Sequence, residues 1–400
     1  MKKRKVSVCG CSLVDNLFPD IDFHSEAFQK FLSRRDGDGG IAPGRLVFAE
    51  DLEQYCSMPY DEIRSSFSET GPALRNLGGP AVVGAVGASQ LLQGKGVEFL
   101  FHGYRGDDES GEFIASILEQ TPLNTEHYRS VPGPTPVTDV LSDPRYHDGK
   151  GERSFVNRVG ISQEFGPEQL PDSFFKSDFL WFAATALVPK LHDDLDRLLA
   201  RGRREGRITI VSTVFDFRNE KKDPVGPWPL GKDSAEAYRN TDLLIVDWEE
   251  ALRMSGAKNL DAAADFLIRS GVSSFFITHG AKQFYGWSDG RLFRETPLRA
   301  FPVSALVDED LARHPEKRGD TTGCGDNFAG ALVASLVSQL AVDGVAPGEA
   351  DPLEAAAWAA AAGGAACFHI GGTCLEKHPG ERLAVIRRYV DAYLKDVHSC

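Results

Sequence analysis

The chain has 400 residues, of which 44 are basic and 58 acidic, giving a formal net charge of −14. Apolar residues make up 42% and charged residues 26%, ordinary values for a folded protein, which excludes wholesale disorder. The acidic balance argues against a general nucleic-acid binder, which needs a basic face. Because we find neither a secretory signal nor a run apolar enough to span a bilayer, we expect a cytoplasmic protein without a membrane partner.

The cysteines indicate the same kind of compartment. The chain has 7 of them, and an odd number in so long a chain favours a reducing environment over a disulfide framework. Cys9 and Cys11 lie in an apolar run and are read as small buried hydrophobic residues rather than as a metal pair.

The predicted elements change character along the chain. Residues 5–14 predict a buried strand that ends at Asp15, and the polar residues 16–75 predict a covering insertion with a helix near 25–32. From Gly78 onward the chain contains the short apolar runs AVVGAVGA, VEFLFHGY, VTDVLS and ERSFVN, which predict short strands in hairpins of a small sheet. From residue 178 onward, strand-like runs alternate with helical stretches, which predicts βαβ units and a parallel sheet.

The segment DTTGCGDNFAGALVA, residues 320–334, places glycines where a helix begins. The first amides of a helix have no internal partner, and glycine lets a ligand approach them closely. Together with the helix dipole, they predict an anion cradle suited to a phosphoryl group. Asp326 beside it could take a proton from an attacking hydroxyl. The alternative is a turn that only caps a helix, but the fifteen-residue context favours chemistry.

This segment resembles the second signature of the PfkB carbohydrate kinases, the ribokinase-like family, whose usual core is D-T-x-G-A-G-D. The resemblance implies that Asp326 is the catalytic base and that Gly323, Cys324 and Gly325 supply the anion-hole amides. Cys324 replaces the usual alanine. Because it lies at a helix start, we expect its thiol to have a lowered pKa and its alkylation to block phosphate binding.

Earlier landmarks follow the order of the same family. The run GCSLVD is similar to the first strand, which implies that Asp15 binds substrate hydroxyls. Residues 76–89 resemble the first glycine motif, in which Gly78 and Gly79 pack against substrate. The usual asparagine of that motif is absent, and the matching region reads Val83-Gly84. GERSFVNRVG resembles the lid strand, which implies that Asn157 contacts substrate.

Two later motifs concern the metal and the nucleotide. Asp247 and Glu250 stand three residues apart on one helical face, as recruitment of a hard cation requires, although an acidic helix start is an even alternative. Their segment resembles the family's N-x-x-E element, which implies an indirect Mg²⁺ role. ITHGAKQF resembles T-x-G-x-x-G, which implies that Thr278 and Gly280 bind nucleotide together with Gly325. Its last glycine falls at or near Phe284.

Asp320 and Thr322 occupy positions that in many members of the family lie beside a monovalent cation such as K⁺. The alternative, given equal weight, is that Asp320 only holds the turn.

The resemblance implies one ribokinase-like α/β domain over residues 1–400, a three-layer α/β/α sandwich with a mostly parallel central sheet. We predict a small β lid built from parts of 16–75 and 97–160, and a main nucleotide-binding part over 178–400. Family members often pair through the lid, which implies a homodimer.

The predicted function is an ATP-dependent, Mg²⁺-requiring transfer of phosphate to a hydroxyl of a small sugar-like molecule. A nucleoside kinase is the first alternative, because residues 40–55 are similar to a stretch of the adenosine-kinase-like branch. A non-catalytic sugar or nucleotide sensor is the second. A dehydrogenase ranks last, because no G-x-G-x-x-G follows the first strand. The sequence does not specify which sugar or nucleoside is used, or which hydroxyl.

Overall fold

The computed structural model describes residues 3–35, 37–68, 71–149 and 151–399. The strands are β1 (Arg4–Gly10), β2 (Leu13–Phe18), β3 (Leu46–Phe48), β4 (Leu74–Gly78), β5 (Val97–Gly106), β6 (Asn124–Val131), β7 (Val137–Asp143), β8 (Glu152–Arg158), β9 (Phe179–Ala183), β10 (Ile208–Ser212), β11 (Leu243–Asp247), β12 (Ser274–Thr278), β13 (Phe284–Ser288) and β14 (Thr296–Phe301).

The α-helices are α1 (Glu26–Gln29), α2 (Ala49–Cys56), α3 (Tyr60–Phe67), α4 (Pro80–Leu91), α5 (Glu109–Leu118), α6 (Tyr146–Gly149), α7 (Pro189–Asp193), α8 (Leu195–Arg204), α9 (Phe217–Lys222), α10 (Ser234–Arg239), α11 (Trp248–Ser255), α12 (Leu260–Ser270), α13 (Ala305–Arg313), α14 (Cys324–Val337), α15 (Pro352–Ala365) and α16 (Glu381–Ser399). A π turn, Ser338–Val342, extends α14, and short 3₁₀ turns are Gly160–Glu164, Pro167–Gln169, Phe174–Lys176, Thr185–Leu187, Pro315–Lys317 and Ala366–Phe368.

A nine-stranded sheet runs in the order β14-β13-β12-β11-β10-β9-β1-β5-β6. The strands from β12 to β6 are paired in parallel. At one edge, β13 runs antiparallel to β12 and β14 runs antiparallel to β13. Strands buried on both faces have continuous apolar sequences, as in the fully buried FLWFA of β9. This confirms the predicted mostly parallel sheet. The run VEFLFHGY, expected in a small hairpin, instead forms β5 beside β1, and the run AVVGAVGA, also expected as a strand, lies in the buried helix α4.

Helices cover both faces of this sheet and complete three layers. Alternate residues of β9 enter different cores: Trp181 belongs to the core that includes residues of α4, α14, α15 and α16, and Phe182 belongs to the core that includes residues of α8, α10, α11 and α12. In the core that contains Trp181, helices α4 and α14 approach each other very closely. A Cβ on Gly330 would lie 2.5 Å from the carbonyl oxygen of Gly84, so the small residues here serve close helix packing.

A second sheet of five strands, in the order β3-β8-β7-β2-β4, is the lid sheet. Helices α1, α2 and α3 cover one of its faces, where Phe18, Leu141 and Val156 join a separate core. The sequence predicted only the helix near residues 25–32, which is the four-residue α1. The eight-residue α2 and α3 are too short to show a convincing period. Among the described residues, no helix is both long and apolar enough to cross a membrane.

Candidate active site

The glycine-rich loop leads directly into α14. Gly323 is the N-cap, with φ +75°, and the first helical hydrogen bond joins the amide of Asn327 to the carbonyl of Gly323 at 2.9 Å. Only the Cys324 amide has an acceptor, Thr321 at 3.4 Å, whereas within the described chain the amides of Gly323, Gly325 and Asp326 have none. A Cβ on Gly325 would meet nothing within 4 Å, so the space beside Gly325 is open, whereas a Cβ on Gly323 would collide with Gly372.

Asp326 lies in the first turn of α14 and is half-buried. Burial raises the pKa of its carboxyl from 3.8 to about 7. No described residue donates a hydrogen bond to this carboxylate, so nothing competes for the lone pairs that would accept a proton. A carboxyl with these properties has the pKa expected of a general base that works near neutral pH.

The side chain of Asn327 holds the loop in place through hydrogen bonds. Its Nδ2 donates to the carbonyl oxygens of Gly323 (2.8 Å) and Gly372 (2.9 Å), and its Oδ1 accepts from the buried Arg382. Burial lowers the pKa of Arg382. Asn327, Gly372 and Arg382 also line a cavity of about 980 Å³. Sequence reasoning did not identify this support, because its members are far apart in the chain.

The lid sheet presents a row of polar side chains from directly opposite residues. Asn157 on β8 faces Thr138 on β7, Thr138 faces Asp15 on β2, and Asp15 faces Asn76 on β4. Residues opposite each other project from the same face of a sheet, so the four form one line. Asn157 donates to Thr138 at 2.8 Å. The sequence predicted Asp15 and Asn157 but missed Thr138 and Asn76, which only strand register reveals.

Asp15 is buried, and burial raises the pKa of its carboxyl to about 7, with further increases from the negative charges of Asp326 and Asp320. The charges of Asp326 and Asp320 in the loop therefore act on Asp15 in the row of polar side chains. Gly78 packs so tightly against the Asp15 carboxylate that no Cβ would fit there. Gly79 has φ +94° and begins α4 beside the backbone of Ser12.

The region matching the missing asparagine has a different use here. Val83 is buried, and its methyl groups lie 3.3 Å from where a Cβ on Gly372 would be. Gly84 packs against Trp181 and the carbonyl of Asp326. Both residues therefore support the loop through packing.

Asp247 and Glu250 are brought together at the end of β11. They form a capping box: Asp247 accepts from the amide of Glu249 at 2.8 Å, and Glu250 accepts from the amide of Asp247 at 3.3 Å. Thr213 also donates to Glu250 at 2.5 Å. Burial raises the pKa of Glu250 to about 7, and the nearby charges of Asp247 and Asp326 also raise it. A bound cation would stabilise the ionised form of Glu250.

Thr278 ends β12 directly opposite Asp247, at the same edge of the parallel sheet. Gly280 follows with φ +57° and has open space around its Cα. Between them, His279 stacks on Trp248 with ring centroids 4.3 Å apart. Phe284 instead packs in the core against Phe328, so it does not take the place of a final glycine in this motif.

Asp320 holds the backbone on both sides of the loop: its Oδ1 accepts from the amides of Thr322 (2.9 Å) and Gly371 (3.2 Å). Arg153 reaches across from β8 of the lid sheet. It donates to Thr322 (2.8 Å) and Thr321 (2.9 Å), and lies 3.7 Å from Asp320. Arg153 and Asn157 are four residues apart on one strand and so share a face, which therefore looks toward the loop.

The six described cysteines are all free, and Cys9 and Cys11 are buried as expected. Cys324 does not have the lowered pKa that we expected. The thiols of Cys324 and Cys367 are hydrogen-bonded to each other. This bond and burial raise the pKa of Cys324, whereas the same bond and the nearby Arg318 lower the pKa of Cys367. The neighbouring sulfur and carboxylates thus outweigh the helix terminus. The prediction about alkylation stays untested.

Known proteins share this fold and sequence pattern. A family model for the pfkB family carbohydrate kinases matches residues 55–378. A fructokinase from Vibrio alginolyticus is 24% identical over 280 residues, which cover 69% of this chain and 82% of that protein. An adenosine kinase from Sinorhizobium meliloti has a similar structure, with TM-score 0.66 and 20% identity, covering 97% of this chain and 99% of that chain. An inferred ribokinase II from E. coli in complex with ATP and Mg²⁺ gives TM-score 0.63 and 15% identity, covering 96% and 99%.

Proposed function

The chain belongs to the pfkB family of carbohydrate kinases, and we propose that it moves the γ-phosphate of ATP to a hydroxyl held between the lid sheet and the loop at residues 320–326. The observation that carries the proposal is that the amides of Gly323, Gly325 and Asp326 have no acceptor among the described residues, and that the half-buried carboxylate of Asp326 beside them accepts no hydrogen bond from those residues. Such an arrangement can gather phosphate charge and take up a proton at one point.

We assign the acceptor to the polar row. Asp15, Thr138 and Asn157 offer carboxylate, hydroxyl and amide groups on one face of the lid sheet, a set that suits the neighbouring hydroxyls of a sugar. Asp326 would take the proton from the reacting hydroxyl, and the loop amides would hold the oxygens of the migrating group. The packing of Gly78 against Asp15 keeps that carboxylate in place.

We assign the donor to the edge formed by β11 and β12. Thr278 and Gly280 would contact the nucleotide, and Gly325 would receive its terminal phosphate. Asp247 and Glu250 fit a hard cation held through water, because both are carboxylates and because burial and the negative charges of Asp247 and Asp326 raise the pKa of Glu250. Mg²⁺ bound there would neutralise phosphate charge. The described residues hold no cluster of three or more His, Cys, Asp or Glu side chains suited to direct ligation.

Several finer assignments remain predictions. We propose the division into a lid and a main part over residues 178–400, and a cytoplasmic location. A homodimer through the outer lid face would have to contact α1–α3 instead of strands, since these helices cover it. A monovalent cation at Asp320 and Thr322 would share its place with the Arg153 guanidinium, which already supplies positive charge there.

A nucleoside is the second candidate acceptor. Phe48 on β3 lies opposite Asn157 in register, and its ring is 5.8 Å from that of Phe217. An aromatic pair at the end of the polar row could take the flat face of a base, while the row binds the ribose hydroxyls. The likeness to an adenosine kinase agrees with this reading.

The test is a panel of sugars and nucleosides with detection of ADP. We expect one class to be phosphorylated, and Asp326→Asn to lower kcat by about a thousandfold or more while leaving ATP affinity within a few-fold. Asp343→Asn, an exposed aspartate beyond the far end of the same helix, is the matched control. Near-normal turnover by Asp326→Asn would remove the assigned base. ATP binding without turnover of any acceptor would favour the sensor reading.

A further inference from the structure

The thiols of Cys324 and Cys367 lie next to each other where the glycine-rich loop enters α14. Cys324 is the first residue of α14, Cys367 lies in the turn after α15, and their sulfur atoms are 3.5 Å apart. Among the described cysteines, no other two sulfur atoms are within hydrogen-bond distance of each other. A disulfide bond is about 2.0 Å long, so a movement of roughly 1.5 Å would join the pair.

Cys324 and Cys367 are both half-buried residues, so neither is sealed in the core. The backbone around Cys367 is bonded to the loop: the amide of Gly319 donates to the Cys367 carbonyl at 2.8 Å, and that of Asp320 donates to the His369 carbonyl at 2.9 Å. Gly323 also packs tightly against Gly372. Because these neighbouring segments are hydrogen-bonded and closely packed, they cannot shift freely together with Cys324. Formation of a disulfide would therefore displace the backbone amides next to Cys324.

We propose that Cys324 and Cys367 are an oxidation site, and that their disulfide reversibly disables the phosphate cradle. This inference depends on the proposed function for its effect on catalysis, but not for the bond itself. The ligand class is small two-electron oxidants such as peroxides. One thiolate attacks a peroxide oxygen, the O–O bond breaks and the sulfur becomes a sulfenic acid. The second sulfur then displaces that oxygen as water, so two thiols and one molecule of hydrogen peroxide give a disulfide and two waters.

The first experiment follows the bond directly. The reduced full chain is treated with hydrogen peroxide, alkylated, and cleaved at aspartate and glutamate, which separates Cys324 from Cys367. We expect a linked pair of peptides by mass spectrometry and a loss of ATP affinity of about tenfold or more, because amide displacements near 1 Å are costly. Dithiothreitol should restore both. No linked peptide, or a linked peptide with unchanged ATP affinity, would overturn the proposal.

The second experiment uses variants. Cys367→Ala and Cys367→Ser should keep the turnover of the reduced enzyme and resist peroxide. Cys56→Ala, which removes a half-buried cysteine on α2 of the lid, should stay as sensitive as the wild type. Equal sensitivity of the Cys367 variants would refute the pair, as would protection by Cys374→Ala, which removes the nearest competitor along the chain. If no acceptor is ever phosphorylated, the proposed function fails, but the peptide and ATP-binding results still decide this inference.

Discussion

Arg382 donates a hydrogen bond to the side chain of Asn327, the residue that follows the assigned base. Asn327 in turn holds the carbonyl groups of Gly323 and Gly372, so the guanidinium on α16 sets the orientation of a side chain that fixes the loop. Arg382 is buried and touches no proposed substrate group. It therefore has a positioning role.

We expect Arg382→Met to lower kcat by about tenfold to a hundredfold with little change in the ATP dissociation constant, since misplacement of a reacting group is costly. The measurement is steady-state turnover beside equilibrium nucleotide binding. Arg387→Met is the control, because Arg387 is exposed on the same helix. Equal losses in both variants would mean that general helix stability, and not the bond to Asn327, is responsible.

Because the pKa of Asp326 is raised in the folded protein, we expect the free energy of unfolding to depend on pH. A carboxyl whose pKa rises from 3.8 to about 7 binds its proton more tightly when folded, so the stabilising protonated form is lost as pH climbs toward 7. Asp326→Asn carries no charge at any pH. It should raise the free energy of unfolding by about 1–3 kcal/mol at pH 8 and by less at pH 5.

Urea unfolding of both proteins at the two pH values measures this difference. Asp343→Asn, which removes an exposed aspartate, is the control. A gain that is the same at both pH values, or a loss at pH 8, would contradict the burial argument.

Arg153 links the lid to the loop, and we expect Arg153→Met to lower kcat/KM for the acceptor by up to about a hundredfold. The reason is that both of its hydrogen bonds, to Thr321 and Thr322, cross from the lid sheet to the loop. Arg158→Met on the same strand is the control, because Arg158 projects from the opposite face and pairs with Asp61. Comparable losses in the two variants would assign the effect to the strand itself.

Glu250→Gln tests the proposed Mg²⁺ role. Glutamine can still accept from Thr213 but carries no charge, so we expect the Mg²⁺ concentration for half-maximal turnover to rise by about tenfold. Glu249→Gln, the exposed neighbour on the same helix, should leave it unchanged. A Mg²⁺ titration that is identical for both variants would make the capping box a purely structural feature.

The parts that sequence could predict are local. The parallel sheet is visible because buried strands such as β9 have unbroken apolar sequences, and the loop at 320–326 is visible because its glycines and Asp326 are contiguous. The sequence did not predict α13, which lies between β14 and the loop and packs its Val307 against Gly364.

The unpredicted parts of the site depend on register and on distant contacts. Thr138 joins the polar row only because β7 pairs with β2 in one register out of several. Arg153 meets Thr321 across 168 positions, and Cys324 meets Cys367 across 43. One sequence contains no signal for such pairings, because nothing in the local pattern specifies the partner.

The position of β1 in the middle of the large sheet has a consequence for synthesis of the chain. β1 is made well before β9, yet β9 is one of its two neighbours in the sheet, and Val6 pairs with Phe179. A nascent chain therefore cannot seal this sheet until residue 183 has left the ribosome, and until then the apolar edge of β1 must be shielded from other chains. We expect chaperones to engage the emerging N-terminal half, and truncation before β9 to yield aggregates.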